Sequence, residues 1–143
     1  MTAATVPAPV ARLDVVVLDC PDPQALADFY GALLGLPTRA DPDGSGWVAL
    51  SRSGQGAPVL AFQPVEDYRR PVWPDGVPQQ SHLDLAVADL AAAEARALEL
   101  GATPLTHALD PTQPWRVYAD PAGHPFCLCT GCGLGVDGRL TRA

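Results

Sequence analysis

The chain repeats itself once. "VVVLDCPDPQALADFYGALLG", from Val15 to Gly35, and "HLDLAVADLAAAEARALELG", from His82 to Gly101, are built alike. Each begins as an extended apolar run, reaches an aspartate (Asp22, Asp89), opens a helix and closes on a glycine. Later features keep step, since Trp47 and Trp115 open later strands and apolar strands begin near Pro58 and Pro125. Solenoids need at least about three stacked units. Two copies therefore point to one pseudo-symmetric domain, with its site between the halves.

Local signals place the elements. Asp22 is a helix N-cap, and Pro23 takes the first helical position, where its missing N–H costs nothing. Leu26, Phe29, Tyr30, Leu33 and Leu34 follow the stripe of a helix with one buried face, and Gly35 ends it in the left-handed conformation. The second helix runs from Leu90 to Leu100, is richer in alanine and stops at Gly101. Strands are expected at Leu13 to Cys20, Gly46 to Ser51, Pro58 to Gln63, His82 to Val87, Trp115 to Ala119 and Pro125 to Cys129. A weaker strand follows each helix, near Leu36 and Thr103. The order is strand, helix, three strands, performed twice. The expected division is a tail at 1–10, a domain at 11–130 and a C-terminal tail at 131–143. Within the domain, module one spans 11–64, a proline-rich linker 65–80 and module two 81–130.

Composition narrows the partners. In 143 residues, 48% are hydrophobic, enough to fill one core, and the net charge is −7. An acidic chain lacks the basic face that neutralises phosphates, so neither nucleic acid nor an anionic membrane is expected. No apolar run approaches the roughly 20 residues of a membrane span, and the first residues do not read as a signal peptide. The expectation is a cytoplasmic protein with its four cysteines reduced.

Three segments, "DCPDPQALADFYGALLGL", "HLDLAVADL" and "YADPAGHPF", occur in register at module spacing. Together they resemble the vicinal oxygen chelate superfamily, which includes glyoxalase I, bleomycin-resistance proteins, fosfomycin-resistance enzymes and extradiol dioxygenases. The likeness covers roughly Leu13 to Cys129. It implies an α+β fold of two pseudo-symmetric βαβββ modules whose curled sheets form a cup. Family enzymes hold a divalent metal there, on the first and last strands of each module. The corresponding positions here are Val15, either Val59 or Ala61, His82 and Cys127. A hard cation wants oxygen ligands, and an aliphatic side chain offers none. No cofactor is therefore expected; a divalent metal, if bound, has His82 and Cys127 to use.

Strand alternation fills the cup differently. Side chains two apart share a face, so His82 brings Asp84, Cys127 brings Cys129, and Gln63 follows Ala61. In the linker, Tyr68, Arg69, Arg70 and Trp73 combine flat surfaces with cationic donors and read as a lid. The expected ligand-binding set is thus His82, Asp84, Gln63, Cys127, Cys129, Trp73 and Arg70. Each has a plainer reading: His82 as a structural histidine at the module junction, Trp73 as a plug, the thiols as small core hydrophobes. His124 reads as a turn residue. Apolar walls with a few polar anchors suit a small-molecule pocket. The leading expectation is metal-independent binding or sequestration of a small, partly aromatic or polar compound by a homodimer. The alternative is a lyase, isomerase or dioxygenase that uses His82 with a metal or with Asp84. A zinc site built on Cys127, Cys129 and Cys132 is a third, weaker reading.

Overall fold

The computed structural model describes residues 13–54, 58–105 and 112–130, with the backbone of two short strands beyond them. The expected N-terminal tail and Cys132 lie outside the described residues. Module one comprises β1 (Val16–Cys20), α1 (Pro23–Leu34), β2 (Thr38–Ala40), β3 (Val48–Ser51) and β4 (Pro58–Pro64). Module two repeats the series as β5 (Leu83–Ala86), α2 (Leu90–Glu99), β6 (Thr103–Pro104), β7 (Trp115–Ala119) and β8 (Pro125–Cys129). Within the expected C-terminal tail, β9 (Gly133–Leu134) and β10 (Leu140–Thr141) pair antiparallel.

The two large sheets have one topology. Strand order is β1-β4-β3-β2 in the first and β5-β8-β7-β6 in the second. In each, the first and last strands pair in parallel and the remaining pairs are antiparallel. Both sheets are open, mixed and four-stranded, and the fold is α+β as the resemblance implied.

Register also settles which residues correspond. Val17 lies opposite Ala61, and Ala61 opposite Ala49. In the second sheet Asp84 lies opposite Cys127, and Cys127 opposite Val117. Ala61, not Val59, is therefore the counterpart of Cys127. Val15 is the counterpart of His82, two residues before Val17 and Asp84 respectively.

Helix ends form as their sequences dictate. Asp22 and Asp89 accept from the backbone N–H groups of Ala25 and Ala92 at 3.1 and 3.0 Å, satisfying one orphan donor in each first turn. Gly35 closes α1 at φ 67°. The helices differ in burial: α1 buries Leu26, Phe29 and Tyr30, whereas Ala97 is the buried residue of α2.

Alternate strand residues facing the helices make one core across both modules. Leu60, Phe62, Phe126 and Leu128 join Phe29 and Tyr30 in it. Phe126 meets Phe29 and Tyr30 edge-on, with ring centroids 5.7 and 6.1 Å apart, and Tyr30 stacks on Phe62. Side chains of α1, rather than shared strands, thus weld the modules together. No helix among the described residues is long and apolar enough to cross a membrane.

Candidate functional site

Because even and odd strand residues face opposite ways, packing Phe126 and Leu128 inward turns Cys127 outward. The same alternation turns Leu83 and Leu85 to the core and leaves His82 and Asp84 on the open face. There a cavity of about 180 Å³ is lined by Trp73, Gln79, His82, Asp84, Trp115, Val117, Pro125 and Cys127. Its polar floor is the His82–Asp84 pair, with Nε2 to Oδ1 at 3.4 Å. Gln79 reaches the other ring nitrogen, Nδ1, also at 3.4 Å. The Gln79 amide donates to Nδ1, which leaves the proton of the neutral imidazole on Nε2, the nitrogen that faces Asp84. His82 and Asp84 both remain about half exposed, at 47% and 56% of their side-chain surface. Contacts this long and this exposed leave the imidazole free to turn toward a ligand.

Burial first, and the Asp84 charge second, push the Cys127 thiol up to about 11. At neutral pH it is a neutral thiol, and thiolate is the form that attacks or ligates.

Module one has its own cavity on the equivalent face. It measures about 440 Å³ and is lined by Val15, Arg39, Asp41, Pro42, Trp47, Val48, Ala49, Pro58 and Ala61. Trp47 and Trp115 hold the same register position, each two residues before the residue opposite the last strand's cup-facing side chain. Each tryptophan lines its own module's cavity. Among the described residues, neither cavity draws on the other module's strands. Each is a half-cup.

The sequence-derived site residues divide accordingly. Trp73, His82, Asp84 and Cys127 come together in one cavity. Gln63 does not join them: it pairs with Asp19 on the first sheet, at the end of β4 that runs into the linker. Arg70 lies elsewhere too, its guanidinium and Cβ packed against the backbone of Gly123. Cys129 is fully buried and is not among the described lining residues. It is disulfide-bonded, whereas Cys20 and Cys127 are free thiols. The expectation of four reduced cysteines therefore fails at Cys129. Gln79, Arg39 and Asp41 were missed: Gln79 lies in the aperiodic linker, and Arg39 and Asp41 lie on and just after β2, a strand of three residues that is too short to show a facing pattern.

The donor set does not suit the superfamily's divalent metal. Of the four positions, His82 offers a nitrogen, Cys127 a neutral thiol, and Val15 and Ala61 no lone pair at all. Among the described residues no three His, Cys, Asp or Glu side chains cluster closely enough to hold an ion.

Comparisons with known proteins agree with this architecture. A family model described as a glyoxalase-like domain matches residues 15–129. The chain belongs to that glyoxalase-like family. A glyoxalase-related enzyme from Fulvimarina pelagi is 22% identical with TM-score 0.62, the match covering 94% of this chain and 99% of that one. The fosfomycin resistance protein FosX from Listeria monocytogenes is 12% identical with TM-score 0.63, covering 92% and 99%. TnmS3, an antibiotic binding protein from Streptomyces sp. CB03234, is 22% identical with TM-score 0.52, covering 85% and 96%. Identities this low carry the fold alone. No curated protein matches the chain in sequence.

Proposed function

We propose that the protein binds a small, partly aromatic organic molecule, without a resident divalent metal, in a cup completed by two copies of the chain. The observation that carries this reading is the pair of indoles, Trp73 and Trp115, in the same small cavity as the His82–Asp84 floor. Indoles offer large flat apolar surface for a ring, and the imidazole offers a donor to a polar or anionic substituent. Pockets for drug-sized ligands run to roughly 300–1,000 Å³, and a half-cup of about 180 Å³ falls short of that. A second copy presenting its module-one face, with Trp47 and Arg39, would supply the missing wall. The antibiotic-binding neighbour supports the class of ligand.

The test is a fluorescence titration with aromatic acids from benzoate to naphthoate, alongside light scattering. Binding should quench tryptophan emission and the mass should be that of a dimer. Trp73→Ala and His82→Ala should each weaken binding about tenfold, or about 1.4 kcal/mol. Changes of less than about twofold in both, or a monomer that binds fully, would overturn the reading.

A second reading, an enzyme of the lyase, isomerase or oxygenase kind, is favoured by the 3.4 Å His82–Asp84 contact and by the neighbour described as a glyoxalase-related enzyme. An imidazole oriented by a carboxylate can move a proton. Conversion of a bound compound, lost in Asp84→Asn while binding persists, would favour it over sequestration.

A further inference from the structure

Away from the cup, four side chains from three distant segments form one hydrogen-bonded chain. Asp120, in the turn between β7 and β8, is 1% exposed. Its Oδ1 accepts from the backbone N–H groups of Ala122 and His124 at 2.9 and 3.0 Å. Its Oδ2 accepts from the Tyr30 hydroxyl of α1 at 2.8 Å and meets His124 Nδ1 at 2.8 Å. That contact puts the imidazole proton on Nδ1, so Nε2 is left to accept. Tyr68, at the start of the linker, donates to it at 3.1 Å.

A second contact lies beside the first. Gly123, at φ 94°, leaves room that Arg70 fills: a Cβ added at Gly123 would lie 2.5 Å from the Arg70 Nε. The linker is thus held at 68 and again at 70, immediately before the segment that reaches the cup. The next residues close a small loop through the Val72 N–H to Val77 carbonyl bond at 2.8 Å. That loop contains Trp73, and Gln79 follows it; both line the half-cup of module two.

We infer that Tyr68 and His124 form a latch that positions the linker, and through it Trp73 and Gln79, over the ligand cavity. The latch is anchored on the buried Asp120–Tyr30 pair, which also ties α1 to module two. A turn residue could satisfy Asp120 without an imidazole; the second ring nitrogen is what reaches across to the linker. Burial first, then the Asp120 charge, pushes the Tyr68 phenol up to about 12, so it remains a hydrogen-bond donor throughout the neutral range. This assignment concerns the linker's position and stands whether or not the proposed ligand class is right.

Tyr68→Phe removes one oxygen, and His124→Asn retains a group able to donate to Asp120 but too short to reach Tyr68. Each is introduced into Trp47→Phe/Trp115→Phe protein, leaving Trp73 as the sole tryptophan. Two readouts follow: acrylamide quenching of Trp73, and the rate of tryptic cleavage between Arg69 and Arg70. Loss of one net hydrogen bond should raise cleavage there about fivefold in either variant. Trp73 quenching should rise, and the double variant should be no worse than the worse single one. Cleavage after Arg39, Arg52 and Arg96 in the same digest reports global loosening. Unchanged quenching and cleavage in folded Tyr68→Phe protein, or a rise matched at those three sites, would overturn the latch. A ligand titration that fails while both linker readouts respond would refute the proposed function and leave the latch standing.

Discussion

Module one and module two have the same strand order and the same register, yet they carry different side chains at matched positions of their open faces. Across the three central strands, module one aligns Val17, Ala61 and Ala49. At the same positions module two aligns Asp84, Cys127 and Val117. The core-facing positions between them stayed apolar in both: Leu60 and Phe62 on one side, Phe126 and Leu128 on the other. A strand has two faces with separate obligations. One is fixed by packing against the helices, and the other is free to diverge. The four positions at which the resemblance places metal ligands lie on that second face, and here they carry Val15, Ala61, His82 and Cys127.

The widest separation between the modules should appear in the core that joins them. Phe126→Ala removes a fully buried ring shared by Phe29, Tyr30 and Tyr118, and should cost about 3–5 kcal/mol. Chemical denaturation checks this, and a loss of under about 1 kcal/mol would mean the modules are not welded by these rings.

Alkaline pH tests the acids kept neutral by packing. Cys20 and Cys127 are pushed from 9.0 to about 11, and Tyr68 from 10.0 to about 12, each by burial first. Tyr30 is raised as well, by burial and then by the Asp120 charge. All bind their protons more tightly folded than unfolded. Their stabilising contribution is whole below about pH 9 and is lost as pH climbs through 11 to 12. Urea midpoints should fall steeply across that window; a flat profile would contradict the burial of these groups.

Reactivity of Cys127 is a finer measure of what separates it from Ala61. Iodoacetamide near neutral pH should label it roughly 100-fold more slowly than an unperturbed cysteine. Asp84→Asn should accelerate labelling modestly, because it removes the second cause of the raised value and leaves the first. Mass spectrometry of the labelled peptide reads both effects.

The smallest effect is a matched pair. Asp22→Ala and Asp89→Ala should each cost about 1 kcal/mol, since the two caps share their geometry and bond lengths. Thermal unfolding of the two variants should be nearly superimposable, and a clear difference would break the equivalence of the helix starts.

Much of this scaffold was legible in the sequence because its causes are local. The Asp22-Pro23 start, the Gly35 stop and the spans Trp115–Ala119 and Pro125–Cys129 fell where patterning put them. The first strand begins at Val16 rather than Leu13, which is 84% exposed and has no partner in the described register. Alternation correctly assigned faces to His82, Asp84 and Cys127. It erred on Gln63, because a shared face was taken for a shared cavity and the open faces of the two sheets line separate ones. Nothing local could reveal Arg39 and Asp41, or the meeting of Tyr68 with His124. The first two sit on and just beyond the three-residue β2, too short for alternation to be read, and the last depends on where a proline-rich linker travels after it leaves β4.

The parallel pairing inside each module bears on how the chain comes together. Val16 meets Leu60 and Leu83 meets Phe126, so each large sheet is stitched shut by a contact distant in sequence yet contained within its own repeat. Closing a loop costs entropy that grows only with the logarithm of its length, and here the cost is met in two separate instalments of similar size. No strand of one large sheet waits for a partner from the other. As the chain leaves the ribosome, module one has every residue its sheet requires before any strand of module two has been made. The junction of Tyr30 and Phe29 with Phe126 can then assemble last, as one finished surface meeting another.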